Sequence, residues 1–291
     1  NLHHGVLVSD AFMRAVETDG QWALKSPKDG SVQATLSARN LWIRLLTARV
    51  ETGEPYIVYI DTVNRQIPQH HKLAGLTVKT SNLCSEITLP TGKDREGNER
   101  TAVCCLSSLN LEYYDDWKDT TIVEDLITML DNVLEYFIQN APDTIERAKY
   151  SAARERSLGL GAMGFHSYLQ RKGCSWQTEV AREYNTNIFK TIKERANEQT
   201  ELLAKQRGEY LDGNGSSKRN SHLLAIAPNA SSGIILSTSP SIEPLKANAY
   251  THRTRAGSFL VKNKYLERLL ERKKENKNGV WKSIITNKGS V

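Results

Sequence analysis

The chain has 291 residues, 39% hydrophobic and 25% charged, a balance that fits a globular fold and excludes a long disordered tail. No apolar run reaches the roughly eighteen residues a membrane-spanning helix needs. Thirty-nine Lys and Arg against thirty-three Asp and Glu leave a formal charge of +6, a surplus that suits a phosphate-bearing ligand.

The first residues, Asn1-Leu2-His3-His4-Gly5, have neither the basic flank nor the apolar core of a secretory signal. The first methionine is Met13, so the sequence reads as opening mid-protein, as a processed or split piece would. Leu36, Leu41, Leu45 and Ala48 recur at helical spacing and predict a helix over 36–52, stopped by Gly53. Tyr56 to Ile60 reads as a short buried strand, and the polar segment 62–81 as a loop. Residues 101–111 form the next strand candidate, and the turn-rich run Thr91 to Asn98 precedes it. Ile122, Val123, Leu126, Ile127, Leu130, Val133, Leu134, Phe137 and Ile138 make one apolar helix face, with a capping box at Thr121 and Glu124 and an end at Pro142. A long helix over 180–206 ends at Gly208, a short apolar strand covers 223–227, and a last helix covers 264–274. Helices alternating with short apolar strands favour an α/β architecture with a largely parallel sheet.

Several features are decoys. The basic run from Lys262 to Lys282 reads as a solvated helix and loop, and no interleaved aromatics or known module point to nucleic acid. Gly159-Leu160-Gly161-Ala162-Met163-Gly164 satisfies GxGxxG, but a charged, helix-like run precedes it where a dinucleotide fold needs a strand. The His3-His4 and His70-His71 pairs lack ligand spacing, so no metal site is expected. The cysteines Cys84, Cys104, Cys105 and Cys174 contain no CxxC, and the lack of a signal implies a reducing, cytoplasmic compartment in which they are buried hydrophobes or reactive groups.

The most informative segment is Lys79 to Ile87. On an extended backbone Asn82, Cys84 and Glu86 share a face, with Leu83, Ser85 and Ile87 behind. That face offers a hydroxyl-holding amide, a thiol and a proton-accepting carboxylate. Cys104 and Cys105 are adjacent, so on a strand they face opposite sides. Pro228-Asn229-Ala230-Ser231-Ser232 is a turn whose amides and hydroxyls could cradle phosphate, and Pro240-Ser241-Ile242-Glu243-Pro244 follows it.

Ser81-Asn82-Leu83-Cys84-Ser85-Glu86-Ile87 resembles the finger-loop motif of the large subunit of class I ribonucleotide reductase. Residues 102–111 resemble the barrel strand that bears one redox cysteine, and 228–232 with 240–244 resemble the substrate-diphosphate loop. The order of the three matches implies the central and later part of the catalytic barrel in a version like that of enterobacteria and phages. The implied fold is part of a ten-stranded α/β barrel with a central finger loop, as one partial domain over 1–291 (finger loop about 79–90, redox strand about 101–111, phosphate loop about 228–233).

By this resemblance Cys84 is the radical cysteine that takes the 3′ hydrogen of the ribose. Glu86 is then the general base at the 3′-hydroxyl, and Asn82 hydrogen-bonds the ribose hydroxyls. Cys104 is one member of the redox pair, while Leu83 and Pro228 to Ser232 bind substrate. Cys105 and Cys174 are packing residues, and the partner of Cys104 comes from an N-terminal barrel strand outside the chain.

The implied substrate is a ribonucleoside diphosphate. A dimetal, tyrosyl-radical small subunit supplies the radical, and this chain itself binds no cofactor. ATP and deoxynucleotide effectors, thioredoxin or glutaredoxin as reductant, the missing large-subunit segments and a homodimer of the complete large subunit belong to the same expectation. The alternative is a non-catalytic nucleotide-binding or assembly fragment left by gene splitting. The intact set of Asn82, Cys84, Glu86 and Cys104 argues against it. A cobalamin-dependent relative is disfavoured by the Asn-Leu-Cys form of the motif.

Overall fold

The computed structural model describes residues 2–255 and 257–291. They group into two compact units, each assembled from separate stretches of chain.

The first unit comprises the residues up to Cys104 together with Leu134–Ser157 and Glu209–Ser217. Strand Gly5–Val8 pairs in parallel with Tyr56–Tyr59. Between them run helix Asp10–Glu17, the antiparallel strands Gln21–Lys25 and Val32–Ser37, and helix Ala38–Thr52. Val8, Phe12, Val16 and Ala38 are buried at the centre of this layer, with Trp22 and Trp42 against Phe12. Both helices start on serines: Phe12 N donates to Ser9 Oγ and Asn40 N to Ser37 Oγ, each satisfying one otherwise orphaned amide. The helix expected over 36–52 therefore begins later, because Leu36 still belongs to a strand.

The segment expected to be a loop over 62–81 instead contains helices Ile60–Gln66 and Gln69–Leu73. His71 there is buried, and His70 Nδ1 lies 2.6 Å from the Tyr210 hydroxyl. The polar composition thus marks packed histidines rather than solvated chain.

The second unit comprises Cys105–Val133, Leu158–Gly208 and Lys218–Val291. Strand Leu106–Asn110 pairs in parallel with Gly159–Met163, and a parallel bridge from Leu160 to Leu224 adds a third segment. The strand expected over 101–111 is therefore shorter: residues 101–105, including Cys104, carry no regular secondary structure. The strand expected over 223–227 reduces to that one bridge.

Gly159 and Gly161 lie within a strand, not in a phosphate-binding turn. A Cβ on Gly159 would strike the Leu106 side chain, and one on Gly161 the Ala225 backbone, so these glycines let strands approach closely. Gly164 follows at φ 81° and starts helix Phe165–Arg171.

Helix Ile122–Asn140 runs its first part alongside helix Glu179–Arg207. Arg195 pairs with Glu124, Gln199 Nε2 donates to Thr128 Oγ1 at 2.9 Å, and Arg207 pairs with Asp131. Glu124 is thus engaged by Arg195, where a capping role was expected. Near the chain's end, the antiparallel strands Ala249–Thr254 and Gly257–Lys262 are followed by helices Lys264–Arg272 and Asn278–Thr286, packed around Ala249, Trp281 and Ile284. The last of these helices was not expected. Parallel strand pairs covered by helices match the α/β expectation, although no closed barrel is present among the described residues.

Candidate active site

The start of the finger segment is tied back to helix Ile60–Gln66. The Asn64 amide grips Val78 twice, accepting from its N–H at 2.8 Å and donating to its carbonyl at 2.9 Å. Beyond that clamp the backbone is not extended. Ser85 N donates to the Asn82 carbonyl at 3.0 Å, and Ser85 has φ 63°, so residues 82–85 form a tight turn.

This corrects the alternation expected for an extended strand: Leu83 is 61% exposed and does not lie behind the reactive face. The turn brings Asn82 and Glu86 together by another route. Asn82 Nδ2 donates to Glu86 Oε2 at 2.7 Å, while Asn82 Oδ1 accepts from Ile87 N at 3.1 Å. Ser81 Oγ donates to the Ile87 carbonyl at 2.6 Å and closes the base of the loop. Cys84 sits at the exposed apex.

Cys104 also presents surface to solvent. Packing around its sulfur, followed by the negative charges of Glu86 and Cys84, nevertheless pushes its thiol pKa above the ordinary cysteine value. Cys84, Glu86 and Cys104 therefore interact electrostatically in the first unit. The neighbouring Cys105 belongs to the second unit, where its Sγ lies 3.6 Å from the Leu130 carbonyl of helix Ile122–Asn140. Cys174 lies 3.2 Å from Thr178 Oγ1 in the turn before helix Glu179–Arg207. These contacts fit packing roles for both.

In the second unit the turn expected to hold phosphate is built on the strand Leu106–Asn110. Asn229 adopts φ 52° and its side-chain oxygen accepts from Ser108 Oγ at 3.0 Å. Helix Ala230–Ile235 follows, with Ser231 and Ser232 exposed at its start and Gly233 buried against the Thr238 carbonyl. Thr238 Oγ1 approaches Asn110 Oδ1 at 3.4 Å, and Ser239 and Ser167 exchange hydrogen bonds at 2.9 and 3.1 Å. Asn229 thus faces the scaffold, leaving Ser231 and Ser232 as the open hydroxyls.

Sequence reasoning missed Ser108 and Asn110. Their alternate spacing on a strand was the available signal, since two polar residues sharing one face need partners. Among the described residues, no group of three or more His, Cys, Asp or Glu side chains is placed to hold a metal ion. None of the described helices is long and apolar enough to cross a membrane.

Comparison with known proteins gives the family. The profile of the family "Ribonucleotide reductase, barrel domain" matches residues 1–218 and 211–291. The chain is 51% identical over 294 residues to the putative ribonucleoside-diphosphate reductase large subunit of Frog virus 3 (isolate Goorha), covering 100% of this chain and 51% of that protein. It is 47% identical to the large subunit of Invertebrate iridescent virus 3, covering 97% of this chain and 45% of the relative. Its structure superposes on the Actinobacillus ureae class Id ribonucleotide reductase alpha subunit with a TM-score of 0.83 at 37% identity, over 99% of this chain and 50% of that one. The chain belongs to the ribonucleotide reductase barrel-domain family, and it spans about half the length of these relatives.

Proposed function

We propose that this chain is the catalytic-barrel portion of a ribonucleoside-diphosphate reductase large subunit, working as one catalytic piece in the cytoplasm. The observation that carries this reading is the turn at 82–86, where Asn82 fixes the Glu86 carboxylate beside Cys84 while Cys104 feels the charge of both.

A small subunit carrying a metal-linked radical supplies the oxidising equivalent that makes Cys84 a thiyl. Cys84 then takes the hydrogen atom from C3′, forming S–H as the C–H bond breaks. Glu86 accepts the 3′-hydroxyl proton, and Asn82 holds the hydroxyl and keeps the carboxylate in place. The 2′-hydroxyl leaves as water. Cys104 and a partner cysteine outside these residues give up two electrons and two protons and become a disulfide. Cys84 returns its hydrogen to C3′, so the thiyl is recovered. Leu83, exposed at the turn, would contact the substrate.

Pro228 to Ser232 would hold the diphosphate, through backbone amides and the Ser231 and Ser232 hydroxyls, with Asn229 setting the turn. Effector nucleotides, thioredoxin or glutaredoxin, and the partner large subunit would engage other segments of the complete large subunit.

The reading is tested in the complete large subunit with its small subunit. One equivalent of ribonucleoside diphosphate, with no external reductant, should yield one deoxynucleotide per Cys104 converted to disulfide. Deoxynucleotide formed by Cys104→Ser at the wild-type rate would overturn the role given to Cys104.

A further inference from the structure

Arg100 lies four positions before Cys104. Strands Gly92–Lys93 and Glu99–Arg100 form a small antiparallel hairpin between the finger segment and Cys104. Arg100 ends that hairpin with a side chain that is 0% exposed. Its Nε donates to Asp94 Oδ2 at 2.8 Å, and Nη1 and Nη2 donate to the two Asp212 oxygens at 2.7 and 3.3 Å. Glu155 Oε1 lies 3.6 Å from Nη1, and the Tyr150 ring lies under the guanidinium at 4.9 Å. Burial works against the Arg100 charge, but the hydrogen bonds it donates to Asp212 and Asp94, with the nearby negative charges, outweigh it, so the group stays cationic.

Three stretches of chain distant in sequence therefore converge on one guanidinium: the hairpin, helix Glu146–Glu155 and the short 3-10 helix Leu211–Gly213 that carries Asp212. A fork of fixed geometry holding two buried carboxylates admits one arrangement of these segments.

Both cysteine segments hang from this hairpin. On the finger side, Thr91 N donates to the Thr77 carbonyl at 3.4 Å, and the Lys79 side chain lies over Gly92, where a Cβ would collide with it. On the other side, Thr101 N donates to Ser151 Oγ at 2.8 Å, in the same helix as Glu155. From there the irregular residues 102–104 lead to the Cys104 thiol.

We propose that Arg100 is a positioning residue: its buried bonds to Asp94 and Asp212 hold the hairpin and, through the Thr101–Ser151 contact, place Cys104 against Cys84 and Glu86. The catalytic meaning of that placement rests on the reductase reading above. The placement itself does not. It predicts that loosening the anchor slows chemistry more than substrate binding, because a misplacement of about 1 Å can cost on the order of 100-fold in rate.

The test uses the complete large subunit. A short bifunctional thiol reagent bridges Cys84 and Cys104, and peptide mapping quantifies the bridge without any turnover. Arg100→Met should lower the bridge yield severalfold and kcat by about 10- to 100-fold while KM stays within about twofold. Arg100→Lys should fall between Met and wild type.

Ser151→Ala leaves the buried ion pairs intact and removes two hydrogen bonds, the one from Thr101 N and the one Ser151 Oγ donates to the Arg147 carbonyl of its own helix. It should lower the bridge yield in a protein of near-wild-type melting temperature, which keeps the test decisive if Arg100→Met does not fold. Bridge yields equal to wild type in Ser151→Ala and in folded Arg100 variants would overturn the proposal, whatever their activity. A wild-type holoenzyme that bridges well but makes no deoxynucleotide would instead overturn the reductase reading and leave the positioning result standing.

Discussion

Asn82 Nδ2 donates to Glu86 Oε2 at 2.7 Å across the turn that carries Cys84 at its apex. The amide therefore acts twice, since its oxygen also accepts from the backbone of Ile87. Asn82→Ala removes both bonds at once. A hydrogen bond to a charged group contributes about 1.5–3 kcal/mol, so kcat/KM should fall by about 10- to 100-fold or more. Steady-state kinetics of the variant holoenzyme checks this, and a loss below twofold would show that the turn holds Glu86 without its amide.

The Cys104 thiol is pushed up by burial and by the charges of Glu86 and Cys84. Thiolate is the species that alkylates. Cys104 should therefore react with iodoacetamide more slowly at pH 8 than an unperturbed thiol. Glu86→Gln removes one of the raising charges, so it should lower the Cys104 pKa and speed alkylation at that pH. Mass-spectrometric labelling rates across a pH series measure both effects.

Burial raises the Glu155 carboxyl from 4.5 to about 8, against the opposing pull of Arg100. The folded state thus keeps a proton that the unfolded chain has released, so the contribution of this group to stability is full below pH 4.5 and is lost as pH rises to about 8. Glu155→Gln stays neutral at every pH. Its melting temperature should match wild type near pH 4.5 and exceed it at pH 8.5 by at least about 1.5 °C, the shift for about 1 kcal/mol in a chain of this size. Calorimetry at the two pH values decides it.

Ser108 Oγ donates to the Asn229 side chain and holds the left-handed residue that opens the Pro228–Ser232 turn. Ser108→Ala should loosen the turn and raise KM for a ribonucleoside diphosphate about three- to tenfold, with kcat nearly unchanged, as expected for loss of about 0.5–1.5 kcal/mol of positioning. An unchanged KM would place the diphosphate elsewhere.

The sequence disclosed residue types better than backbone. The Asn-Leu-Cys-Ser-Glu string marked Asn82 and Glu86 as neighbours, but an extended period-two strand is not what joins them. A turn stabilised by the amide of Asn82 and the left-handed Ser85 brings them together. Helices with long apolar faces, such as Ile122–Asn140 and Glu179–Arg207, were legible because periodicity accumulates over many turns. Among short strands Tyr56–Tyr59 was legible, but the extent of others depends on partners distant in the chain: Leu106–Asn110 stops where its pairing with Gly159–Met163 stops, which leaves Cys104 outside it. The Arg100 anchor left no local trace. Its partner Asp212 lies 112 residues away, and only folding makes that pair.

The central claim is that Cys84 takes a hydrogen atom from the substrate ribose. Its most direct test is Cys84→Ser in the complete large subunit with its small subunit, given a ribonucleoside diphosphate carrying tritium at C3′. The wild type should form deoxynucleotide and the Cys104 disulfide. The variant should form neither and leave the label in place at C3′, since a serine O–H bond is too strong to exchange hydrogen atoms with carbon. Deoxynucleotide production by the serine variant at a rate near wild type would contradict the account.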